Sequence, residues 1–238
     1  MPRRFYSEQP ISSDIVPIEG DEAKHILAVN RLGVGDDVVL FDGSGQEFVG
    51  KISETAKRSL KVEIVGAEIV SRETNVDLTL AVALPKGDRQ KQLVEKLVEV
   101  GVQKLIPLNC SRSVAKVSEK SLEKLSRRVI EASKQCGRNI LMQIDSPTSF
   151  TDLIESGDVG CQNFVAHPTG AREQGLELEN RTAEKYLVAI GPEGGFSEEE
   201  IEFATGNAAN GWRTVHLGPT IMRVETAAVV AAALFGLR

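Results

Sequence analysis

The chain has 238 residues, of which 41% are hydrophobic and 26% charged, and its formal net charge is −6. This composition is typical of a soluble globular protein with one or two domains. We expect no secretory signal, because no apolar segment follows Arg3 and Arg4, and no membrane span, because the most apolar segment, 227–237, is too short. Three cysteines without a C-x-x-C pair fit a reducing cytoplasm and predict neither a disulfide framework nor a metal site.

The charge is unevenly distributed along the chain. Residues 84–140 carry 13 Lys and Arg against six Asp and Glu. Residues 1–72 carry nine against 12, and residues 141–238 carry six against 14. A basic stretch between acidic flanks can steer a polyanion to one face of a protein. Such lysines also serve simply to solvate helix surfaces, and charge alone favours that second interpretation.

The N-terminal part of the sequence indicates a small strand-rich domain over residues 1–72. A short helix is predicted over 21–32, and β-rich pieces follow between residues 38 and 70. Asp42-Gly43-Ser44-Gly45 is a hairpin turn signal between two of these pieces. A polar linker at 71–75 ends the domain, and we expect a small β-barrel.

The middle of the chain predicts an α/β domain over residues 73–238. A strand at 76–84, a helix at 89–102 and a strand at 104–108 imply a right-handed parallel crossover. A second helix, at 119–135, carries basic residues on its outer face. Four arginines are candidates for phosphate contacts or are ordinary solvated side chains: Arg112, Arg127, Arg128 and Arg138.

Three apolar strands in the C-terminal half each end in a loop with glycine or proline. They span 163–166, 186–190 and 214–217, and the loops begin at His167, Gly191 and Gly218. In open α/β sheets the loops at the carboxyl ends of parallel strands form the ligand-binding edge. We therefore expect these three loops to lie together.

The second of these loops leads into a well-specified helix start. Ser197 and Glu200 have capping-box spacing, and Phe196 and Ile201 have the spacing of a hydrophobic staple. A capped strand-to-helix connection without a ligand is an equally good interpretation of this loop alone, and the presence of several such loops favours a site.

Several common nucleotide and hydrolase sites are excluded by their motifs. The sequence has no G-x-x-x-x-G-K-[ST] loop for a triphosphate and no G-x-S-x-G nucleophile elbow. Gly43-x-Gly45 lacks the third glycine of a dinucleotide fingerprint, and a strand follows it where a helix is required.

IGPEGGFSEEE, residues 190–200, and LGPTIMRVETAAVVAAAL, residues 217–234, resemble the C-terminal signature of the RsmE family of SPOUT methyltransferases. The stretches 86–108, 111–114 and 127–138 resemble the family as well. Members methylate N3 of one uridine in 16S ribosomal RNA with S-adenosylmethionine. The resemblance implies a PUA-like RNA-binding barrel, a SPOUT α/β domain with a deep trefoil knot, a cytoplasmic homodimer, and 16S RNA within the small ribosomal subunit as partner.

The resemblance also implies the cofactor site. Three loops can enclose a nucleoside through backbone groups and without a charged clamp, which suits a sulfonium cation. The implied cofactor-binding residues are His167, Pro168, Gly191, Pro192, Glu193, Gly194, Gly195, Leu217, Gly218, Ile221, Met222 and Thr226.

RNA-binding residues follow from the same resemblance, although a lone histidine such as His25 is more often structural. They are His25, Arg31, Lys86, Arg89, Arg127, Arg128 and Arg138.

For the chemistry, the imide proton of N3 must leave and the resulting anion must be tolerated. Glu225 is a candidate proton acceptor, and Arg223 is a candidate for stabilising charge on O2 or O4. An Arg–Glu pair that only rigidifies the loop is the alternative. Arg112 matches an arginine that, in the family's dimer, lies near the partner's cofactor site.

The sequence departs from the family pattern at four positions: Cys110, Ser111, Cys136 and Thr220. Two other functions remain open. One is a SPOUT methyltransferase that acts on another RNA such as tRNA, and the other is an RNA-binding module without catalysis.

Overall fold

The structure is a computed structural model of the chain. It describes the following residues: 3–115, 117–156, 160–168, 184–206 and 211–237. None of the helices in these ranges combines the length and the apolar content that crossing a bilayer requires.

Contacts between residues divide the chain into two units. The first comprises Met1–Glu73 and Ile130–Leu141, and the second comprises Thr74–Val129 and Met142–Arg238. The division into domains at residue 72 stays a prediction. The units differ from it in one segment, since twelve residues from the basic middle of the chain pack with the N-terminal strands.

The first unit is built on a sheet of five strands: β1 (Arg3–Tyr6), β2 (Ile15–Glu19), β3 (Asp37–Phe41), β4 (Gln46–Thr55) and β5 (Ser59–Ile69). Their order is β1-β3-β4-β5-β2, with β1 parallel to β3 and the other pairs antiparallel. The sheet curls around one apolar face into a half-barrel, and β1 and β2 remain as its edges. The sequence predicts neither edge strand, because β1 begins with two arginines and β2 contains Pro17, which only an edge strand tolerates.

The hairpin predicted at residues 42–45 connects β3 to β4 and is confirmed. Asp42 Oδ1 accepts a hydrogen bond from the Ser44 backbone N–H at 3.0 Å. Gly43 and Gly45 have φ angles of 90° and 93°, which glycine adopts readily.

The segment 21–32, predicted as one helix, is broken into two pieces. An α-helix, α1 (Gly20–Lys24), continues as a π-helical turn over His25–Val29. Arg31 follows with φ 56°, the only positive φ among the non-glycine residues that the structure describes. Both features cost free energy relative to a regular helix with a glycine cap, and such features are frequent at functional sites.

The second unit contains a parallel sheet. Its strands are β6 (Asp77–Val82), β7 (Lys104–Asn109), β8 (Gln143–Ile144), β9 (Thr148–Ser149), β10 (Gln162–Ala166), β11 (Lys185–Ile190) and β12 (Arg213–Val215). The strand order is β12-β10-β11-β6-β7-β8, and β9 pairs with the end of β7. The apolar runs in the sequence predicted the long strands. β8 and β9 could not be predicted in this way, because a strand of two residues is too short to show a pattern of hydrophobic residues.

The helices of this unit are α2 (Asp88–Glu99), α4 (Phe150–Ser156), α5 (Glu198–Gly206) and α6 (Val224–Gly236). A further helix, α3 (Glu119–Cys136), belongs to this unit up to Val129. The predicted strand–helix–strand crossover is confirmed as β6–α2–β7, with β6 and β7 parallel. Leu93, Val94, Leu97 and Val98 form the buried face of α2, as their spacing predicts.

The last helix, α6, packs against α2, β6 and β11. From residue 227 to residue 236 no residue is exposed, so α6 is buried or half-buried on every side. Phe235 is fully buried, with ring centroids 5.1 Å from Phe164 and 5.3 Å from Tyr186. This aromatic cluster fixes α6 on the sheet beside the loops described below.

Replacing Phe235 by alanine should lower the free energy of unfolding by about 3–5 kcal/mol, because it empties a fully buried aromatic site. Phe203 on α5 is the matched control, since it is 38% exposed and its replacement by alanine should cost much less. Urea unfolding of the two variants measures the difference. Equal losses would contradict the role assigned to the cluster.

Candidate active site

Three loops meet at one edge of the parallel sheet. The strands that precede them are adjacent, because β10 pairs with β11 on one side and with β12 on the other. The His167 backbone N–H donates to the Val215 carbonyl at 2.9 Å, so the pairing continues to the start of the first loop. The prediction that the loops share an edge is confirmed.

The loops enclose a pocket of about 360 Å³. Every residue predicted to bind the cofactor lines it except Thr226, which is exposed on the first turn of α6. Thr169 and Gly170, the remainder of the first loop, lie outside the described residues.

The pocket also contains residues that sequence analysis missed: Ala166, Ile190, Phe196, His216, Thr220, Val224 and Ala227. Ala166 and Ile190 are the last residues of their strands, a position that the strand prediction itself marks. His216 was missed because the apolar run TVHL predicts a strand to residue 217, whereas β12 ends at Val215 and leaves His216 in the loop.

Two glycines of the second loop occupy positions where a larger residue would be strained or would clash. Gly195 has φ 68°, and its N–H closes a turn by donating to the Pro192 carbonyl at 2.8 Å. A Cβ on Gly191 would lie 3.0 Å from the ring of Phe196. One glycine is therefore needed for its backbone conformation and the other for close approach.

The helix that follows this loop begins as predicted. The Ser197 N–H donates to Glu200 Oε2 at 2.8 Å, and the Glu200 N–H donates to Ser197 Oγ at 3.1 Å. Glu200 also accepts from the backbone and the hydroxyl of Ser111, at 2.8 and 3.1 Å. The capping box thus ties α5 to the loop that follows β7.

Arg112 directly follows Ser111, the residue that binds Glu200, and it lines the pocket of its own chain. Its Nη1 donates to the Gly194 carbonyl at 2.9 Å and to the Phe196 carbonyl at 3.4 Å. Burial raises the pKa of the neighbouring Cys110 thiol to about 12, with a smaller contribution from Glu200, so this thiol is not a nucleophile at neutral pH.

Arg223 and Glu225, predicted as a pair, are not paired with each other. Arg223 is the exposed N-cap residue of α6, and no ion pair of the described residues involves it. Glu225 is half-buried, and its Oε2 lies 3.8 Å from Arg89 Nη1. Neither residue lines the pocket, although both flank residues that do.

The basic residues predicted to bind RNA fall into two groups. Arg31, Lys86 and Arg127 are exposed, and His25 is half-buried with its ring 6.3 Å from Phe5. The others are committed to carboxylates: Arg89 to Glu193 at 3.0 Å, Arg128 to Glu95 at 2.9 Å, and Arg138 to Glu73 at 2.5 Å.

Arg138, which was predicted to bind RNA, is buried instead. Only 3% of it is exposed, and it forms a two-pronged hydrogen-bonded ion pair with Glu73 within the first unit. A buried guanidinium in such a pair cannot reach a phosphate without leaving a buried carboxylate uncompensated. Its role is structural.

The described part of the pocket carries little net formal charge. Among the described residues that line it, only Arg112 and Glu193 carry a formal charge when the histidines are neutral. Burial lowers the pKa of His167 and so favours the neutral imidazole. The described residues include no group of three or more His, Cys, Asp or Glu that could hold a metal ion.

Two family models match the chain: an RNA methyltransferase domain over residues 72–236 and an RNA methyltransferase PUA domain over residues 18–65. Among curated relatives, ribosomal RNA small subunit methyltransferase E of Aquifex aeolicus is 32% identical over 230 residues, which cover 94% of this chain and 95% of that protein. The protein of the same name from Bacillus subtilis is 28% identical over 224 residues, covering 90% and 86%.

Two solved structures are also similar over nearly the whole chain. A ribosomal RNA small subunit methyltransferase E from Neisseria gonorrhoeae, bound to S-adenosylmethionine, gives a TM-score of 0.89 at 26% identity and covers 98% of this chain and 96% of that one. A methyltransferase from Legionella pneumophila in complex with the same cofactor gives 0.89 at 28% identity, covering 99% and 97%.

The half-barrel unit and the loop-built pocket define an RNA methyltransferase of the SPOUT fold with an N-terminal PUA domain. The family model for the catalytic domain spans most of the chain. The chain belongs to the RsmE family of ribosomal RNA small subunit methyltransferases.

The lowered pKa of His167 predicts a pH dependence of stability. The unfolded chain binds a proton near the ordinary pKa of 6.5 and the folded chain only at lower pH, so the free energy of unfolding should fall as the pH drops below 6.5. Replacing His167 by asparagine removes this contribution. Urea unfolding between about pH 5 and about pH 8 should give a difference between wild type and variant that is constant above 6.5 and changes below it. A difference independent of pH would refute the assignment.

Proposed function

We propose that the protein transfers a methyl group from S-adenosylmethionine to N3 of a uridine in small-subunit ribosomal RNA. The observation that carries this proposal is the pocket at the carboxyl ends of β12, β10 and β11. It belongs to a chain that matches cofactor-bound family structures along nearly its whole length. The half-barrel unit supplies the RNA-binding part of the same proposal.

The pocket suits this cofactor in size and charge. Its volume of about 360 Å³ falls in the range of small-molecule sites, roughly 300–1,000 Å³. Among the described residues that line it, Arg112 is the one arginine, and its Nη1 donates to two carbonyl oxygens. When bound, S-adenosylmethionine supplies a methyl group activated by a positive sulfur. Residues of the three loops would hold it, largely through backbone groups.

For the uridine, we propose that the chain stabilises the anion formed when the N3 proton leaves. Arg223 is exposed beside the pocket residues Met222 and Val224, so its guanidinium is available to a base that enters there. Arg112 lies in the pocket and is also exposed, so the part of its guanidinium that the two carbonyl oxygens do not engage is available as well. Cations aimed at developing charge lower the barrier. Glu225 is a less suitable proton acceptor than its sequence position suggests, because its Oε2 is buried.

We propose that RNA is held by the exposed cations Arg31, Lys86 and Arg127 together with His25. These side chains retain their charge or hydrogen-bonding capacity for phosphates, whereas Arg128 shares its guanidinium with Glu95. Phosphate contacts of this kind give affinity and positioning rather than sequence discrimination.

The family resemblance further leads us to propose a knotted catalytic domain and a cytoplasmic homodimer. The outer face of α6 fits a subunit interface, since Val229, Val230 and Leu234 are only half-buried in the single chain. A partner subunit would complete their burial.

Methylation of isolated small ribosomal subunits, followed by nucleoside analysis, tests the proposed reaction. We expect 3-methyluridine at one position in the 16S RNA. Methylation of tRNA instead, or of a different atom, would replace the substrate assignment. Calorimetric titration with S-adenosylmethionine should independently give about one site per chain.

Replacing Gly195 by valine should abolish detectable cofactor binding while the protein stays folded. Space is not the obstacle, because a Cβ at this position meets no atom within 4 Å, but a β-branched residue cannot adopt φ 68° without strain. Gly211 is the matched control, with φ 63°, equal space and a position outside the pocket. Gly211→Val should suffer similar strain yet bind the cofactor normally. Unchanged binding in Gly195→Val would show that this loop is not the site, and binding lost in both variants would trace the loss to backbone strain in general.

Replacing Arg31 by glycine separates fold from function in the RNA-binding unit. Because glycine suits φ 56°, we expect the free energy of unfolding to stay the same or rise by up to about 1 kcal/mol, while affinity for small-subunit RNA falls. Arg58→Ala removes an exposed cation from the turn between β4 and β5 and should leave RNA affinity nearly unchanged. Lower stability with unchanged RNA affinity in Arg31→Gly would assign Arg31 a purely structural role.

A further inference from the structure

Arg89 stands where three elements of the catalytic domain meet. It lies in the first turn of α2, directly after the loop that ends β6. Because β6 pairs with β11, that loop is next to the loop containing Glu193. α6, which begins at Val224, packs against α2. One side chain from α2 can therefore reach both the cofactor loop and the start of the last helix.

The guanidinium of Arg89 faces one carboxylate from each of these neighbours. Its Nη2 donates to Glu193 Oε1 at 3.0 Å, and its Nη1 lies 3.8 Å from Glu225 Oε2. The planar fork of arginine presents donors in two directions at once, which the single ammonium of lysine does not. The two contacts link the pocket-lining Glu193 to the first turn of α6.

Glu225 depends on this cation. Its Oε2 is buried and has no hydrogen-bond partner among the described residues. Arg89 is the only cation within ion-pair distance of it in the described part of the chain. Removing Arg89 would leave a buried carboxylate oxygen without a compensating charge. The start of α6 would then have to move, or the Glu225 carboxylate would have to take up a proton.

We propose that Arg89 is a positioning residue of the methyl-transfer site, which sets the geometry of the 191–195 loop and of the α6 start through Glu193 and Glu225, and that it does not bind RNA phosphate. This inference rests on the proposed methyltransferase function. It assigns Glu225 a supporting role in the same network, one residue from Val224 in the pocket wall. The exposed Arg223 is left as the group at the start of α6 that is available to the substrate.

The distinction between positioning and RNA contact is measurable. A side chain that neutralises a phosphate contributes to the slope of log affinity against log salt, by roughly 0.7–0.9 per phosphate. A positioning residue leaves this slope unchanged and alters the maximal rate. We therefore compare Arg89→Gln and Arg89→Lys with Lys91→Gln. The control removes a cation from the same helical turn whose partner is the exposed Asp88.

For Arg89→Gln we expect kcat on small ribosomal subunits to fall at least about tenfold, with an unchanged salt slope for RNA binding. Arg89→Lys keeps the charge but not the fork, so its kcat should lie between those of Arg89→Gln and the wild type. Lys91→Gln should match the wild type in kcat. In addition, the effects of Arg89→Gln and Glu193→Gln on kcat should be less than additive, since both break the same contact.

Two results would overturn the inference. One is a wild-type kcat in Arg89→Gln with a salt slope reduced by about one, which would make Arg89 a phosphate contact. The other is full additivity of Arg89→Gln and Glu193→Gln. If Arg89→Gln does not fold, the same tests are made with Arg89→Lys. The kcat of Arg89→Lys, of Glu193→Gln and of the double variant then shows whether the two effects are additive. A wild-type protein that neither binds S-adenosylmethionine nor methylates RNA would instead refute the proposed function, and the wild-type measurement is made first.

Discussion

The pairing of β10 with both β11 and β12 is the constraint on which the site depends. Parallel strands present their carboxyl ends at the same edge, so three adjacent strands bring three loops within the width of one small ligand. The pairing of β10 with β12 extends to His167, whose N–H donates to the Val215 carbonyl, and the first loop therefore begins at this residue. The loops themselves contribute mainly backbone groups, which need this scaffold to point inward.

Around that edge, the conformation of the second loop is held from two sides. Arg112 binds the carbonyls of Gly194 and Phe196, and Arg89 binds the carboxylate of Glu193. Glu200 holds the segment that carries Arg112 in place, because it accepts hydrogen bonds from the neighbouring Ser111 while it caps α5. A loop with three glycines would otherwise sample many conformations, and these contacts reduce the entropy that ligand binding must overcome.

Much of this arrangement could be predicted from sequence, because it follows from local rules. Continuous apolar runs mark buried parallel strands, and the Ser197–Glu200 spacing marks a helix start whatever the rest of the fold. Positions that depend on distant neighbours could not be predicted in this way. Nothing local to Arg138 indicates that it pairs with Glu73, 65 residues away, and nothing local to Arg89 indicates Glu193, 104 residues away. The π-helical turn before Arg31 could not be predicted from the sequence either, because the spacing of side chains in π- and α-helices differs little over five residues.

The same contacts resolve an apparent conflict between an acidic catalytic half and an anionic substrate. Residues 141–238 carry 14 Asp and Glu against six Lys and Arg. Yet three of the described acidic side chains around the site loops are used internally: Glu193 and Glu225 face Arg89, and Glu200 accepts hydrogen bonds from Ser111 and Ser197. Arg89 offsets one of the two negative charges of Glu193 and Glu225. A carboxylate beside a guanidinium projects a weaker field into solvent, since the two opposite charges lie only a few ångströms apart. The formal charge of this half therefore overstates the repulsion that RNA meets at the site, where the exposed Arg112 and Arg223 add positive charge.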